Sequence, residues 1–338
     1  MKGIVKSVLG EGLVLKYHKI RVDLKNLKLL SINMLRDGRL FYKHSTVFKE
    51  DTFSKKESKI ILLYHALEKG YLHEKVKYRF GIKRVQDLIV LLKSDQIVKC
   101  NQRSQIASAY LSICKYYEIH SDNNIDISDY YSFSDYELFK SLLECDKESV
   151  LNQKFTSFFE KSNSDFAEFS KSRMSTRNFS GKKIPVETIK KVLDIARTAP
   201  SVCNRQPVRV YYTENKVKID KIFDIQRGLI GYSDSIVQLL VVVSDRNYFF
   251  SVGERNQLYI DGGIFLMNLL YALHYYKIGA CPAHWGLNYQ QDLDIQKVLN
   301  LSDSEKVICL VPIGIPKEKF KTTLSLRRDV DEILKIVN

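Results

Sequence analysis

No CxxC pair occurs in this sequence, although it holds six cysteines. Cys100, Cys114, Cys145, Cys203, Cys281 and Cys309 lie far apart, a spacing that suits neither a zinc site nor a disulfide framework and fits a reducing compartment. No apolar run approaches the ~18 uninterrupted residues of a membrane span. The opening MKGIVKSVLGEGLVLKYHKI is broken by Gly, Glu and Lys and lacks the apolar core of a signal peptide, so the cytoplasm is the expected location. A GxGxxG fingerprint is also missing, which leaves a nicotinamide nucleotide without a Rossmann cradle of its own. Acidic residues are few: 39 against 53 Lys and Arg gives a net charge of +14. That balance admits anionic partners such as phosphate-bearing small molecules, nucleic acid or an acidic membrane surface. The 17 Phe and 20 Tyr are scattered, with no RNP-like or zinc-finger pattern, so core packing accounts for them and a nucleic-acid partner is not expected.

What is present suffices for two domains, since 338 residues exceed the ~150 typical of one. The first half reads as helix. ESKIILLYHALEKGYL places Ile60, Leu63, Leu67 and Tyr71 on one stripe, with Gly70 where a C-cap would fall. VQDLIVLLKSD and QIASAYLSICKYYEI repeat the pattern, and SDNNIDISDYYSFS (121–134) reads as a loop. The basic stretch KYHKIRVDLKNLKLLSINMLRDGRLFYKH can be an amphipathic helix on an anionic surface; a core-facing helix with a solvated Lys/Arg side is the preferred expectation. After residue 180 strands and helices alternate. PVETIKKVLDIARTAP is a helix with Ile189, Val192, Leu193 and Ala196 on one face. VRVYYT, IVQLLVVVSD and KVICLVPIGIP are strands, the last two apolar enough to be covered on both faces. YIDGGIFLMNLLYALHYYKIG is a helix apolar nearly all round, destined for the core or a subunit interface. These elements predict an α/β sandwich over about 184–316.

Four polar clusters carry candidate chemistry. In SRMSTRNFSG, an extended backbone would project Arg173, Ser175 and Arg177 to one side, where planar guanidinium forks suit a phosphate; a solvated linker would have the same composition. In APSVCNRQPVRVYY, a polar loop with Ser201, Asn204 and Gln206 joins a helix to a strand. Its amides match a ring edge offering donors and acceptors, or bond their own backbone in a turn. In KIGACPAHWGLN, small residues allow a flat ligand close to the backbone. There His284 is a proton donor or a structural residue, and Trp285 stacks on a ring or packs. In TTLSLRRDVDEIL, Arg327 and Arg328 would complete a phosphate seat, or form a solvated basic patch.

Taken in this order, SRMSTRNF, APSVCNRQP, NLLYALHYYKIGACPAHW, VPIGIP and LRRDVDEIL resemble the flavin-dependent nitroreductase family over roughly residues 166–334. The resemblance implies an α+β fold: an antiparallel or mixed central sheet flanked by helices, preceded by a mainly helical N-terminal extension (1–160), with residues 161–338 as the FMN-binding domain. It also implies an intertwined homodimer with FMN at the interface. Arg173, Met174, Ser175 and Arg177 would hold the phosphate and ribityl chain, aided by Arg327 or Arg328. Pro200, Ser201, Val202 and Asn204 would lie against the flavin from the partner subunit, with Asp261 near the ring. Pro282, Ala283 and His284 would line its other edge, His284 being the candidate catalytic residue. NAD(P)H would be the transient donor, and a nitroaromatic, quinone or enone-like compound the acceptor, in a ping-pong exchange. YHALEKGYL with YRFG is similar to the N-terminal extension of longer nitroreductase-like proteins, some of them associated with bacterial surface-polysaccharide gene sets. Alternatives are therefore a specialised flavin enzyme of a biosynthetic pathway, surface-polysaccharide synthesis being one such, and a non-catalytic scaffold docking on an anionic surface. Two positions depart from the family pattern: Val208 stands where Trp often follows QP, and His284 where an acidic residue is usual.

Overall fold

The computed structural model describes residues 2–143, 148–229 and 231–337. Cys145, one of the six cysteines, lies outside them; the other five are free thiols. The chain forms two compact units, one of Met1–Lys59 with Phe250–Arg255, the other of Ile60–Phe249 with Asn256–Asn338.

The first unit is dominated by helix α1 (Lys2–His44). Arg255 clasps Asp37 through two hydrogen bonds of 2.7 and 2.9 Å. Lys55 bonds the Asp51 carboxylate at 2.8 Å and the Lys43 carbonyl at 3.1 Å. The expectation of a core-facing helix fails here: Leu24, Leu27, Ile32 and Leu35 of α1 are all exposed. Its apolar positions are too interspersed with Lys and Arg to form a single burying stripe.

The second unit begins within α2 (Phe53–Tyr71) and continues through α3 (Ile82–Leu92), α4 (Asp95–Val98), α5 (Ser104–Ser121) and α6 (Phe133–Ser141). The stripe Ile60, Leu63, Leu67 and Tyr71 is buried as its period requires. Gly70 is not a cap, because α2 runs past it to Tyr71. A Cβ there would stand 2.1 Å from the Phe80 ring, so the glycine permits a close approach.

Next come β1 (Val150–Lys154), α7 (Phe155–Phe158), α8 (Phe166–Ser172), α9 (Val186–Ala196), β2 (Val208–Thr213), α10 (Lys216–Gln226) and β3 (Gln238–Asp245). The chain ends with α11 (Gln257–Tyr275), β4 (Gly279–Ala280), β5 (Ala283–His284), α12 (Tyr289–Leu299), β6 (Glu305–Gly314), β7 (Lys319–Thr323) and α13 (Val330–Ile333). The main sheet is antiparallel, in the order β2-β3-β6-β4 with β5 also on β6. β1 and β7 pair separately, Val150 opposite Thr323.

Strand periodicity makes this a sandwich. Leu239, Val241 and Val243 of β3 pack with α10 and α12 on one face. Leu240 and Val242 pack with α9 and α11 on the other. A register shift between Val242 and Val243 lets β6 change parity, so Val307 and Leu310 join the first face while Cys309, Val311 and Ile313 join the second. The fold is therefore α+β with an antiparallel sheet between helices, as the sequence predicts.

Candidate functional site

The segment after α8 runs irregularly from Arg173 and is pinned along the end of the main sheet. The Thr176 N–H donates to the Ala280 carbonyl at 2.9 Å, the Ser180 N–H to Ile315 at 2.8 Å, and the Lys317 N–H to Asn178 at 3.2 Å. Phe179 bridges to Pro316. Gly314 makes the approach possible, since a Cβ on it would meet the Phe179 ring at 2.8 Å. Met174 turns toward Phe158, Phe159 and Phe320, and its Sδ accepts from the Thr322 hydroxyl at 3.5 Å. Met174 thus anchors the strip through its packing.

Arg173 and Arg177 are both drawn inward. Arg177 is only 8% exposed, and its Nη1 is buried without a hydrogen-bond partner, as is the Thr176 hydroxyl. Leaving such a group unmade costs about 1–3 kcal/mol, more for a charged one. The Arg173 guanidinium is held below the usual arginine range first by burial, then by the positive charge of Arg327. Ser175 lies half-buried between the two arginines.

The cations fall into two pairs. Arg173 stands with Arg327, which is exposed and donates to the Ser325 carbonyl at 3.0 Å. Arg177 stands with Lys69 of α2, whose ammonium is pushed down by burial first and then by Arg177 and Arg84. The Cys281 thiol is buried and is raised by that burial against the pull of Arg177, Lys69 and Arg173. Among the described residues no carboxylate pairs with Lys69, Arg173 or Arg177. Arg328 bonds Glu332 at 3.0 Å.

The loop after α9 forms a second centre. Cys203, Asn204 and Gln206 all have left-handed backbone, with φ of 49°, 55° and 51°, a concentration of strain that marks functional loops. Asp261 of α11 is 2% exposed and receives the Val202 N–H at 3.3 Å and the Gln257 amide at 2.8 Å. The Ser201 hydroxyl accepts from the Gln206 N–H at 2.9 Å, and the Asn204 and Gln206 amides bond each other at 3.1 Å. Pro200, Ser201, Asp261 and Phe265 line a cleft of about 110 Å³. The loop is held by Asp261, by bonds within itself and by the Arg209 guanidinium of β2, which donates to the Gln206 carbonyl at 3.1 Å.

The third centre is the edge strand β5. Ala283 lies opposite Leu310 and His284 opposite Cys309 on β6, with the half-buried Pro282 just before them. His284 is exposed; its Nδ1 accepts from the Gly286 N–H at 3.1 Å, which leaves the proton of the neutral ring on Nε2. Gln226 of α10 fixes the strand by donating to the His284 carbonyl at 3.2 Å. Trp285 packs in the core and donates to Asp292 at 2.8 Å, so its indole is committed to structure.

Sequence reasoning missed Lys69, Cys281 and His274. Nothing in the sequence neighbourhood of Lys69 points to Arg177. His274 had a signal, being an imidazole within a run of apolar helix. It is 3% exposed, bonds the Ser172 hydroxyl at 2.8 Å, and is lowered to about 4 by burial and then by Arg173.

The chemistry of this set suits an anion: buried and half-buried cations, an unpartnered guanidinium N–H, no offsetting carboxylate, and backbone fixed by the sheet. Among the described residues no group of three His, Cys, Asp or Glu side chains could hold a metal ion. Nor, among the described residues, is any helix long and apolar enough to cross a membrane.

Comparison with known proteins places these centres in a family context. The model of the Nitroreductase family matches residues 170–234 and 235–315. A Methanothermobacter thermautotrophicus protein, provisionally named NADH dehydrogenase/NAD(P)H nitroreductase, is 27% identical over 158 residues, 46% of this chain and 78% of its own. Among solved structures, a nitroreductase-like protein from Streptococcus mutans is 22% identical over 52% of this chain and 98% of its own, with a TM-score of 0.44. An FMN-dependent nitroreductase from Clostridium difficile R20291 is 19% identical over 49% and 92%, with a TM-score of 0.40. The stretch from residue 170 to residue 315, which holds the Arg173–Arg177 strip, the strained loop and β5, is the part of this chain that matches the nitroreductase family.

Proposed function

We propose that the protein is a flavin-dependent oxidoreductase that binds FMN in residues 161–338, takes electrons from NAD(P)H and passes them to a nitroaromatic, quinone or enone-like acceptor. The observation that carries this reading is the buried, unpartnered Nη1 of Arg177 within a carboxylate-free group of cations, in a segment that matches the nitroreductase family. When bound, FMN supplies the two-electron exchange between donor and acceptor, each using the same open face in turn.

The chain's own residues bind and orient. Arg173 and Arg327 hold the phosphate through charge-assisted hydrogen bonds, and Ser175 offers a hydroxyl beside it. Pro282 and Ala283, fixed on β6, present a flat backbone surface to the ring. His284, exposed at that edge, can in its protonated form hand a proton to a product and return to the neutral ring. Asp261 keeps the Pro200–Asn204 loop in its strained shape by holding the Val202 N–H.

That loop would serve the flavin of a partner subunit. The exposed Ile260, Ile264 and Met267 form one stripe along α11, and a homodimer would cover them.

Purification tests the reading directly. The protein is expected to be yellow, or to become so on adding FMN, and its flavin absorbance to bleach under NADPH or NADH without oxygen. A colourless protein that takes up no FMN would overturn it.

A further inference from the structure

We propose that the lysine-bearing face of the β1–β7 ribbon is a second ligand site, separate from the flavin site, that takes a small phosphorylated polyol such as a sugar phosphate.

The ribbon collects positive charge through its register. Lys154 stands directly opposite Lys319, and Asn152 opposite Lys321. Side chains two apart on a strand share a face, so these four residues form a square on one side of the ribbon. Directly opposite Cβ atoms lie about 4.5–5.5 Å apart and diagonal ones about 7–8 Å, and like charges so placed repel. Among the described residues no carboxylate pairs with Lys154, Lys319 or Lys321. Lys321 donates to the Tyr71 carbonyl at 3.3 Å, which turns this face toward the end of α2. A ribbon that served the fold alone would gain from an acidic residue at one of these positions.

A cavity lies at the same place. Leu72, Glu74, Asn178 and the lysine-bearing stretches of β1 and β7 line a space of about 470 Å³, within the ~300–1,000 Å³ of small-molecule pockets. Leu72 and Phe320 in its lining are buried residues and give a carbon skeleton apolar surface to lie on. Glu74 is its one acidic lining residue and is engaged by Lys317, so the three lysine charges stand uncompensated. A neighbouring cavity of about 430 Å³ shares Glu74 and Asn178 and adds Asp234 and Ser235. These extend the space with groups that bond hydroxyls.

Asn178 narrows the class of ligand. Its Oδ1 is buried without a hydrogen-bond partner. Its backbone is fixed, because its carbonyl accepts from the Lys317 N–H at 3.2 Å. An amide oxygen only accepts, so it calls for a donor. A fully ionised phosphate has none to give, whereas a hydroxyl has one. The lysines call for a charged acceptor, which a phosphate supplies. A molecule carrying both groups meets both demands, while an inorganic anion or a neutral sugar meets only one. Of the residues lining the first cavity, only Asn178 falls within 170–315, the part that matches the nitroreductase family. The site is therefore built mainly from what this chain adds to that part.

Calorimetry tests the site with FMN present throughout, so that a flavin phosphate seat is already filled. The probes are glycerol 3-phosphate, ribose 5-phosphate and glucose 6-phosphate, beside inorganic phosphate and glucose. At least one of the three phosphorylated polyols is expected to bind about tenfold or more tightly than inorganic phosphate or glucose, as a second set of hydrogen bonds implies. Joint Lys154→Gln and Lys319→Gln substitution should weaken that probe by about tenfold or more while FMN affinity stays within about twofold. Asn178→Ala should weaken it about fivefold and leave inorganic phosphate nearly unchanged. Without any probe, Lys319→Glu should melt about a degree or more above the wild type, because it pairs with Lys154. Equal affinity for inorganic phosphate and every phosphorylated polyol, or none for any of them, would overturn the site. So would unchanged probe affinity in the double variant, or a Lys319→Glu protein that melts lower. FMN uptake is read separately from flavin colour, so the flavin reading and this site fail independently.

Discussion

His274 illustrates how one buried side chain couples the anion site to pH. Its imidazole is enclosed by Phe158, Phe159 and Phe169 and lies close enough to Arg173 to feel its charge. Both effects disfavour the protonated ring, so its pKa falls to about 4 from the usual 6.5. In the unfolded chain the ring protonates near 6.5; in the folded protein it stays neutral until about pH 4. The resulting stability is complete above pH 6.5 and is lost as pH falls from 6.5 toward 4, by up to ~3 kcal/mol at ~1.4 kcal/mol per unit. Urea melts between pH 7 and pH 4 should therefore shift to lower midpoints, and His274→Gln should flatten that part of the profile. An unchanged slope in the variant would place the acid sensitivity elsewhere. The same histidine stands in the sequence as a polar residue in an apolar helix, whereas its closeness to Arg173 is not legible there, because the end of α8 meets α11 only in the folded chain.

At the scale of elements, periodicity made much of the structure legible. The α2 stripe, the two-faced burial of β3 and the α9 face of Ile189, Val192 and Ala196 follow from 3.6- and 2-residue repeats that any folded chain must satisfy. The α1 stretch was misread, since alternating Lys and apolar residues fix a helix but not what covers it. Gly70 was misread for a related reason: a glycine near a helix end signals a cap or a close approach, and only the position of Phe80 decides which. Gly314 is a second close approach, and the Arg173–Phe179 strip depends on it. Gly314→Ala would place a Cβ 2.8 Å from the Phe179 ring. The strip would have to move, at a cost of about 1–3 kcal/mol, which thermal melts should register as a drop of several degrees. A melting temperature unchanged within a degree would mean that Phe179 yields freely.

For the whole molecule, the exposed face of α11 bears on assembly. Ile260, Ile264 and Met267 are exposed along one face of a helix whose other face is core, a pattern expected of an interface. Sedimentation should give twice the 39.3 kDa of one chain. Ile264→Glu, which puts a charge on the stripe, should yield monomers that melt normally and hold FMN at least tenfold more weakly. A wild-type monomer would remove the dimer from the reading, and with it the assignment of the Pro200–Asn204 loop to a partner's flavin.

The sequence by itself determined the helical first half, the buried strands, and the order of the four polar clusters that resembles the nitroreductase family. These are local matters of period, turn chemistry and residue order along the chain. Tertiary structure alone decided that Arg327 rather than Arg328 stands with Arg173, since Glu332 captures the second arginine one helical turn away. It alone brought the charges of Arg177, Lys69 and Arg173 to bear on the buried Cys281 thiol. Electrostatic neighbours are set by distance in space, and no spacing along the chain encodes them.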